Sequence, residues 1–239
     1  YICRLPNIFG KWSKPDYNSV VATFCFKLAR GIGIQINDPL SKMHLLYIDD
    51  LINKFKNLLN ERNTENQKEC TFVGFSNIYE ITVQELADTL SSFSLKRENL
   101  SIDSLGSGLQ KKLYATYLSY LPYEKFSYPI REHSDERGVF AELLKSRSSG
   151  QVSYFTAKPG VVRGKHFHHT KSEKFFIVSG FAEFVYTHKV DGTRHEFTIS
   201  EKDACIVETI PGWVHQIKNI GSMDLIVIVW ANEIFDQNN

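Results

Sequence analysis

From Phe126 to the end of the chain, turn-forming pairs recur at short intervals: Pro159-Gly160, Asp191-Gly192, Pro211-Gly212 and Gly221-Ser222. The stretches between them read as strands: Val139–Leu144, Gln151–Ala157, Lys174–Val178, Ala182–Thr187, Arg194–Ile199, Ala204–Glu208 and Leu225–Trp230. Many short strands at this spacing indicate a sandwich or a small barrel, because a short strand buries its apolar face only against a second sheet.

Before Pro122 the pattern is different. Tyr1 to Leu5 reads as a short strand and Asn7-Ile-Phe-Gly10 as a turn. Tyr17 to Arg30 carries Val20, Val21, Phe24 and Leu28 at helical spacing, with Asn18 or Ser19 as N-cap and Gly31 as stop. The strand Leu45–Ile48 leads into Asp49 and Asp50, carboxylates that suit a helix start, and Leu51–Leu59 continues as an amphipathic helix. Thr71–Gly74 is a strand, Thr82 and Glu85 form a capping box for a helix over Val83–Phe93, and Lys111–Leu121 is helical. Alternating strand and helix implies an α/β layer. The expectation is therefore an α+β chain in two parts, residues 1–121 and 122–239. The opening strand at Tyr1, with no initiator Met, suggests a protein cut within a domain.

Composition closes off other classes. A length of 239 residues allows one large domain or two small ones, and a net charge of +1 argues against a general nucleic-acid binder. The longest apolar run, Leu225 to Ala231, falls far short of the ~18 residues that span a bilayer. No secretory signal precedes it, and Cys3, Cys25, Cys70 and Cys205 are scattered without a CxxC pair, which reads as reduced thiols in the cytoplasm.

The strongest chemical signal is Gly160-VVRGK-His166-Phe-His168-HTKS-Glu173-KFFIVS-Gly180, followed by Pro211-Gly-Trp-Val-His215-Gln-Ile-Lys-Asn219. On a strand, residues two apart share a face, so His166 and His168 point together. Glu173 returns on a neighbouring strand and His215 on another. Three imidazoles and a carboxylate converging inside a barrel suit Zn²⁺, Fe²⁺, Mn²⁺ or Ni²⁺. His133, His188 and His195 have no partners at ligand spacing and read as surface residues.

These residues carry a resemblance. Gly160 to Gly180 is similar to the first motif of the cupin superfamily, G-x5-H-x-H-x4-E-x6-G. Gly212, His215 and Asn219 resemble the second, with its proline shifted to Pro211 and its leading glycine missing. The resemblance implies an all-β cupin (jelly-roll) barrel with His166, His168, Glu173 and His215 as metal ligands, zinc foremost. Asp135-Glu-Arg137-Gly138-Val-Phe140-Ala-Glu142 also resembles the D-x-R-G-x-F-x-E strand of nucleotide-sugar 3,5-epimerases, and Arg163-Gly164-Lys165-His166 their R-G-x-H. That likeness implies His166 as base, Lys174 near the developing enolate, and Arg137 and Glu142 on the substrate; a guanidinium and an ammonium suit phosphate oxygens, so Arg137 and Lys165 are expected on the diphosphate. A histidine that ligates a metal is not also a free base, so the metal-free mechanism of those enzymes does not transfer intact.

Further upstream, Arg4-Leu-Pro6-Asn7-Ile-Phe9-Gly10 and His44-Leu-Leu-Tyr-Ile48-Asp49-Asp50-Leu51 resemble stretches of extended short-chain dehydrogenase/reductases (SDRs). This implies a Rossmann-type SDR substrate half, with Asn7 on the sugar nucleotide. No glycine fingerprint follows a strand, and no Tyr-x-x-x-Lys pair precedes Arg4, so NADPH is expected only in an intact family enzyme and not here. A reductase-type half followed by a cupin resembles the bifunctional capsular polysaccharide enzymes that join an extended short-chain reductase to a C-terminal cupin epimerase. The resemblance implies a cytoplasmic homodimer formed through the cupin. It also implies C3 epimerisation of a UDP-linked 4-keto-6-deoxy-N-acetylhexosamine. The rival readings are a metal-dependent cupin dioxygenase and an inert sugar-nucleotide-binding fragment.

Overall fold

The computed structural model describes residues 1–60 and 70–234. It divides into two compact units. The first comprises residues 1–99 and 104–128, and the second residues 100–103 and 129–239.

The first unit contains β1 (Ile2–Cys3), β2 (Asn7–Phe9), α1 (Val20–Ala29), β3 (Lys42–Tyr47), α2 (Ile48–Asn60), β4 (Phe72–Val73), β5 (Ile78–Thr82), α3 (Val83–Glu98) and α4 (Gly108–Leu118). Helix starts follow their chemistry. The Ser19 hydroxyl accepts from the Ala22 N–H at 3.3 Å, and Thr82 and Glu85 form the reciprocal capping box. α1, α3 and α4 bury Val21, Phe24, Leu86, Leu90, Phe93 and Leu113 against Phe9 and Leu45 of the sheet. Each fully buried side chain of this size contributes roughly 1.5–3 kcal/mol.

The α+β expectation with a Rossmann-type half is corrected here. The principal sheet of this unit has only three strands in the order β2-β3-β5, and β5 runs antiparallel to β3. β1 and β4 pair separately, over two residues each. A Rossmann-type half is built on a wider parallel sheet with repeated crossovers, and none exists among the described residues. Strands dominate the described chain, with fifteen against four α-helices.

The second unit contains β6 (Glu132–Asp135), β7 (Gly138–Ser146), β8 (Gly150–Ala157), β9 (Val162–His166), β10 (Glu173–Ser179), β11 (Phe181–His188), β12 (Arg194–Ser200), β13 (Val207–Glu208), β14 (Trp213–Asn219) and β15 (Leu225–Ala231). They form two antiparallel sheets, β13-β10-β15-β8-β7-β6 and β12-β11-β14-β9. This is a cupin-like architecture. Phe155, Phe175, Ile177, Phe184, Ile217 and Val227 pack together as its core. Along β10 the burial alternates: Phe175 and Ile177 are buried while Lys174, Phe176 and Val178 are exposed. That parity decides which side chains can reach the interior.

Candidate functional site

The four donors come from three strands and one loop of the second unit. His166 ends β9, His168 lies in the following loop, Glu173 opens β10 and His215 sits on β14. One ligand atom from each lies within 4.8 Å of all the others. The Glu173 Oε2 is 3.3 Å from His168 Nε2 and 3.4 Å from His215 Nε2. The His166 ring lies 4.8 Å from that of His168 and 4.7 Å from that of His215, centroid to centroid.

Strand parity alone does not produce this convergence. His166 pairs with His215 and Gly164 with Gln216, so Lys165 is an extra residue on β9. Gly164 and Lys165 both adopt positive φ, 89° and 66°. This β-bulge turns His166 onto the face that carries His215. Without it, His166 would share a face with Gly164, opposite Gln216, and point away. His168 is held by its backbone, whose carbonyl accepts from the Gly212 N–H at 3.1 Å. Glu173 is fixed through its own N–H, which donates to the Thr209 hydroxyl at 2.8 Å.

The electrostatics suit a cation. Burial pushes the Glu173 carboxyl up, but the hydrogen bond from His215 and the charges of Lys171, His168 and His215 outweigh it and hold it at about 2. Burial lowers His166, helped by His215 and His168. Burial also lowers His168, with Glu173 opposing and Lys171 assisting. An ionised carboxylate and neutral imidazoles are the protonation states that metal binding needs. The Nδ1 of His215, on a residue only 3% exposed, has no hydrogen-bond partner. The donor set therefore fits a divalent ion such as zinc.

The other expected residues are placed elsewhere. Lys174 leaves β10 on the face opposite Glu173 and forms an ion pair with Glu208. Lys165 is exposed on the bulge. Arg137 donates to Asp135 Oδ2 from Nε at 2.9 Å, in the turn between β6 and β7. Its carbonyl accepts from the Lys158 N–H, at the end of the sheet where Ala157 meets Leu225. Glu173 stands across from Ala231, at the other end of β15. Arg137 is thus about 20 Å along the strands from the cluster at ~3.3 Å per residue. Glu142 pairs with Lys145 at 3.0 Å. Asn7 lies on β2 in the first unit. The residue that sequence reasoning missed is Lys171, whose Nζ is 3.3 Å from Glu173 Oε1. It sits in a loop between two donors, where no periodicity marks it.

Residues 133–239 match the family model described as polysaccharide biosynthesis C-terminal domain. A crystal structure of CapF with the inhibitor 3-isopropenyl-tropolone superposes with a TM-score of 0.92 at 41% identity, covering 100% of this chain and 68% of that one. The chain belongs to the CapF family. CapF from Staphylococcus aureus, described as a capsular polysaccharide assembling protein, gives a TM-score of 0.93 at 40% identity, over 100% of this chain and 64% of its own. A UDP-2-acetamido-2,6-beta-L-arabino-hexul-4-ose reductase from Pseudomonas aeruginosa is 46% identical over 239 residues, which is 100% of this chain and 63% of that protein. The chain thus spans less than two thirds of that reductase, and its likeness is to the C-terminal portion of a capsular polysaccharide enzyme. No helix among the described residues is long and apolar enough to cross a membrane.

Proposed function

We propose that the second unit is a nucleotide-sugar C3 epimerase acting on a UDP-linked 4-keto-6-deoxy-N-acetylhexosamine. The observation that carries this reading is the convergence of four donors within 4.8 Å at one end of a cupin-like barrel. A related protein is named as a reductase of a UDP-linked 4-ketohexose derivative, which supports the substrate class. Four free cysteines support a cytoplasmic setting, and the family resemblance supports a homodimer through this unit.

The 4-keto group acidifies the hydrogen on C3. His168, Glu173 and His215, tied together through Glu173 Oε2, would hold the metal, with zinc the best fit to the donors. When bound, the ion supplies positive charge against negative charge developing on O4. His166 is the exposed member of the four. It accepts the C3 proton while the C–H electron pair moves into the enolate, and a proton from water returns to C3 on the opposite face. Lys171, beside Glu173 Oε1, is the cation that lies at the cluster, whereas Lys174 points away from it. Lys165 is exposed next to His166 and is available to the diphosphate.

Deuterium wash-in at C3 tests the reading. The chain incubated with the UDP-4-keto sugar in D₂O is expected to incorporate deuterium at C3. His168→Gln is expected to lose both metal and exchange, and His166→Gln to keep metal while losing exchange. Absence of exchange in the metal-loaded wild type overturns the epimerase reading. Retained exchange in His166→Gln overturns the assignment of the base.

A further inference from the structure

We infer that the aromatic pocket between β12 and β13 is the subsite for the uracil base of the nucleotide sugar. The inference rests on the epimerase reading for the identity of that substrate. The pocket has a volume of about 400 Å³, and its wall includes Tyr186, His195, Phe197, Val207, Glu208 and Trp213. This is within the size range of small-molecule sites.

The pocket shares a wall with the donor cluster. Trp213 and His215 are two residues apart on β14 and so face the same way. Tyr186 is the direct cross-strand neighbour of His215 on β11. Its hydroxyl donates to the Glu208 carbonyl at 2.7 Å, which ties β11 to β13. A sugar ring at the cluster therefore has this pocket beside it.

The walls are flat and held in place. Phe197 stacks on Tyr186 at 5.9 Å and 8° between planes. The Trp213 indole lies 4.8 Å from the His188 ring and 5.6 Å from the His195 ring. A pinned indole offers a π-face to a planar base. Charge selects which part of a UDP-sugar enters. Among the described residues no Lys or Arg lines the pocket, and the Glu208 carboxylate is matched by Lys174 on the outer face of the sheet, so the pocket suits a neutral ring and not a diphosphate. Uracil carries one N–H donor and two carbonyl acceptors. The His195 imidazole on the pocket wall can donate to a carbonyl. Lys174 has its place in that outer ion pair, away from the reacting carbon.

Calorimetric titration of the intact, metal-loaded chain with UMP tests the assignment, together with Trp213→Leu and His195→Ala, the latter on an exposed edge strand where folding is not at stake. UMP is expected to bind the wild type. Trp213→Leu is expected to weaken binding by roughly ten- to a hundredfold, as loss of one stacking partner implies, and His195→Ala to weaken it less. Both variants are expected to keep wild-type metal content and to raise the KM for C3 wash-in more than they lower kcat. Absence of UMP binding overturns the inference, as does equal binding by wild type and both variants. So does a shift of Trp213→Leu towards monomer in sedimentation, which would mark the pocket as covered by a second copy. UMP binding is read without turnover, so intact binding with no C3 exchange removes the epimerase reading alone. Exchange with KM unchanged in the variants removes the pocket assignment alone.

Discussion

Asn219 has no exposed surface, and its side-chain amide is used three times. Its Nδ2 donates to the Ala157 carbonyl at 2.7 Å and to the Met223 carbonyl at 2.8 Å, and its Oδ1 accepts from the Gly221 N–H at 2.9 Å. Asn219→Ala leaves these buried groups without partners, at about 1–3 kcal/mol for each. A loss of ~3 kcal/mol overall is expected, read from the midpoint of urea unfolding, with metal content unchanged in the folded fraction. The motif match singled out Asn219 without a reason for it, and the reason is structural. Lys174 shows the opposite case. The motif fixed Glu173, the strand reading fixed Lys174–Val178, and period two already put Lys174 on the other face. The family resemblance drew it towards the enolate, and the register takes it to Glu208. The prediction that follows is for Lys171, whose ammonium lies beside Glu173 Oε1. Lys171→Met is expected to slow C3 wash-in severalfold or more, while Lys174→Met leaves the metal content as it was. Mass-spectrometric deuterium counting and elemental analysis check the two.

At the scale of elements, the bulge on β9 sets the site. A Cβ built on Gly164 would sit 2.8 Å from the His215 carbonyl oxygen, and the φ of +89° is one that side chains rarely adopt. Gly164→Ala is expected to cost about 1–3 kcal/mol and to push β9 away from β14. Metal stoichiometry should fall below one per chain while the far-ultraviolet spectrum stays that of a β protein. The glycine stood in the R-G-x-H match, but nothing in a linear pattern says that one residue must be looped out. The argument from i and i+2 gave the right gathering of histidines for an incomplete reason, because His168 lies beyond the strand. Turn pairs and apolar runs made most barrel strands legible: expected Gln151–Ala157 is observed as Gly150–Ala157, and Leu225–Trp230 as Leu225–Ala231. Ala204–Glu208 shrinks to Val207–Glu208, since β13 pairs at the sheet margin through two positions only. In the first unit the helices were legible from caps and periodicity. Strand direction was not, because alternation along the chain gives the order of strands and leaves their sense open. β5 returns antiparallel, and the Rossmann-type reading fails on that.

At the scale of the molecule, pH links metal and stability. His166 and His168 are both held below their ordinary 6.5 in the folded chain, by burial first; neighbouring imidazoles add to it at His166, and Glu173 opposes it at His168. The unfolded chain therefore takes up protons before the folded one does. This contribution is fully present above 6.5 and is lost as pH falls through the depressed values. At His168, protons then compete with the ion for the same nitrogen. The rise in Tm produced by added zinc is expected to be constant from pH 8 to about 7 and to disappear on acidification. Thermal melts with and without a chelator, paired with elemental analysis after dialysis, measure it. A zinc-induced rise that persists at a pH where both imidazoles carry protons would count against His168 as a ligand.

β9 closes one margin of the four-stranded sheet and has β14 as its single hydrogen-bonded neighbour there. His168, in the loop that β9 leads into, thus rides on a segment that can peel back while the rest of the β unit stays assembled. Ion exchange at such a place proceeds by local opening, with a rate set by a few backbone hydrogen bonds instead of by global unfolding. Two isotopes of the same metal would trade places well within the lifetime of the folded protein, and the swap would quicken as soon as that strand is loosened.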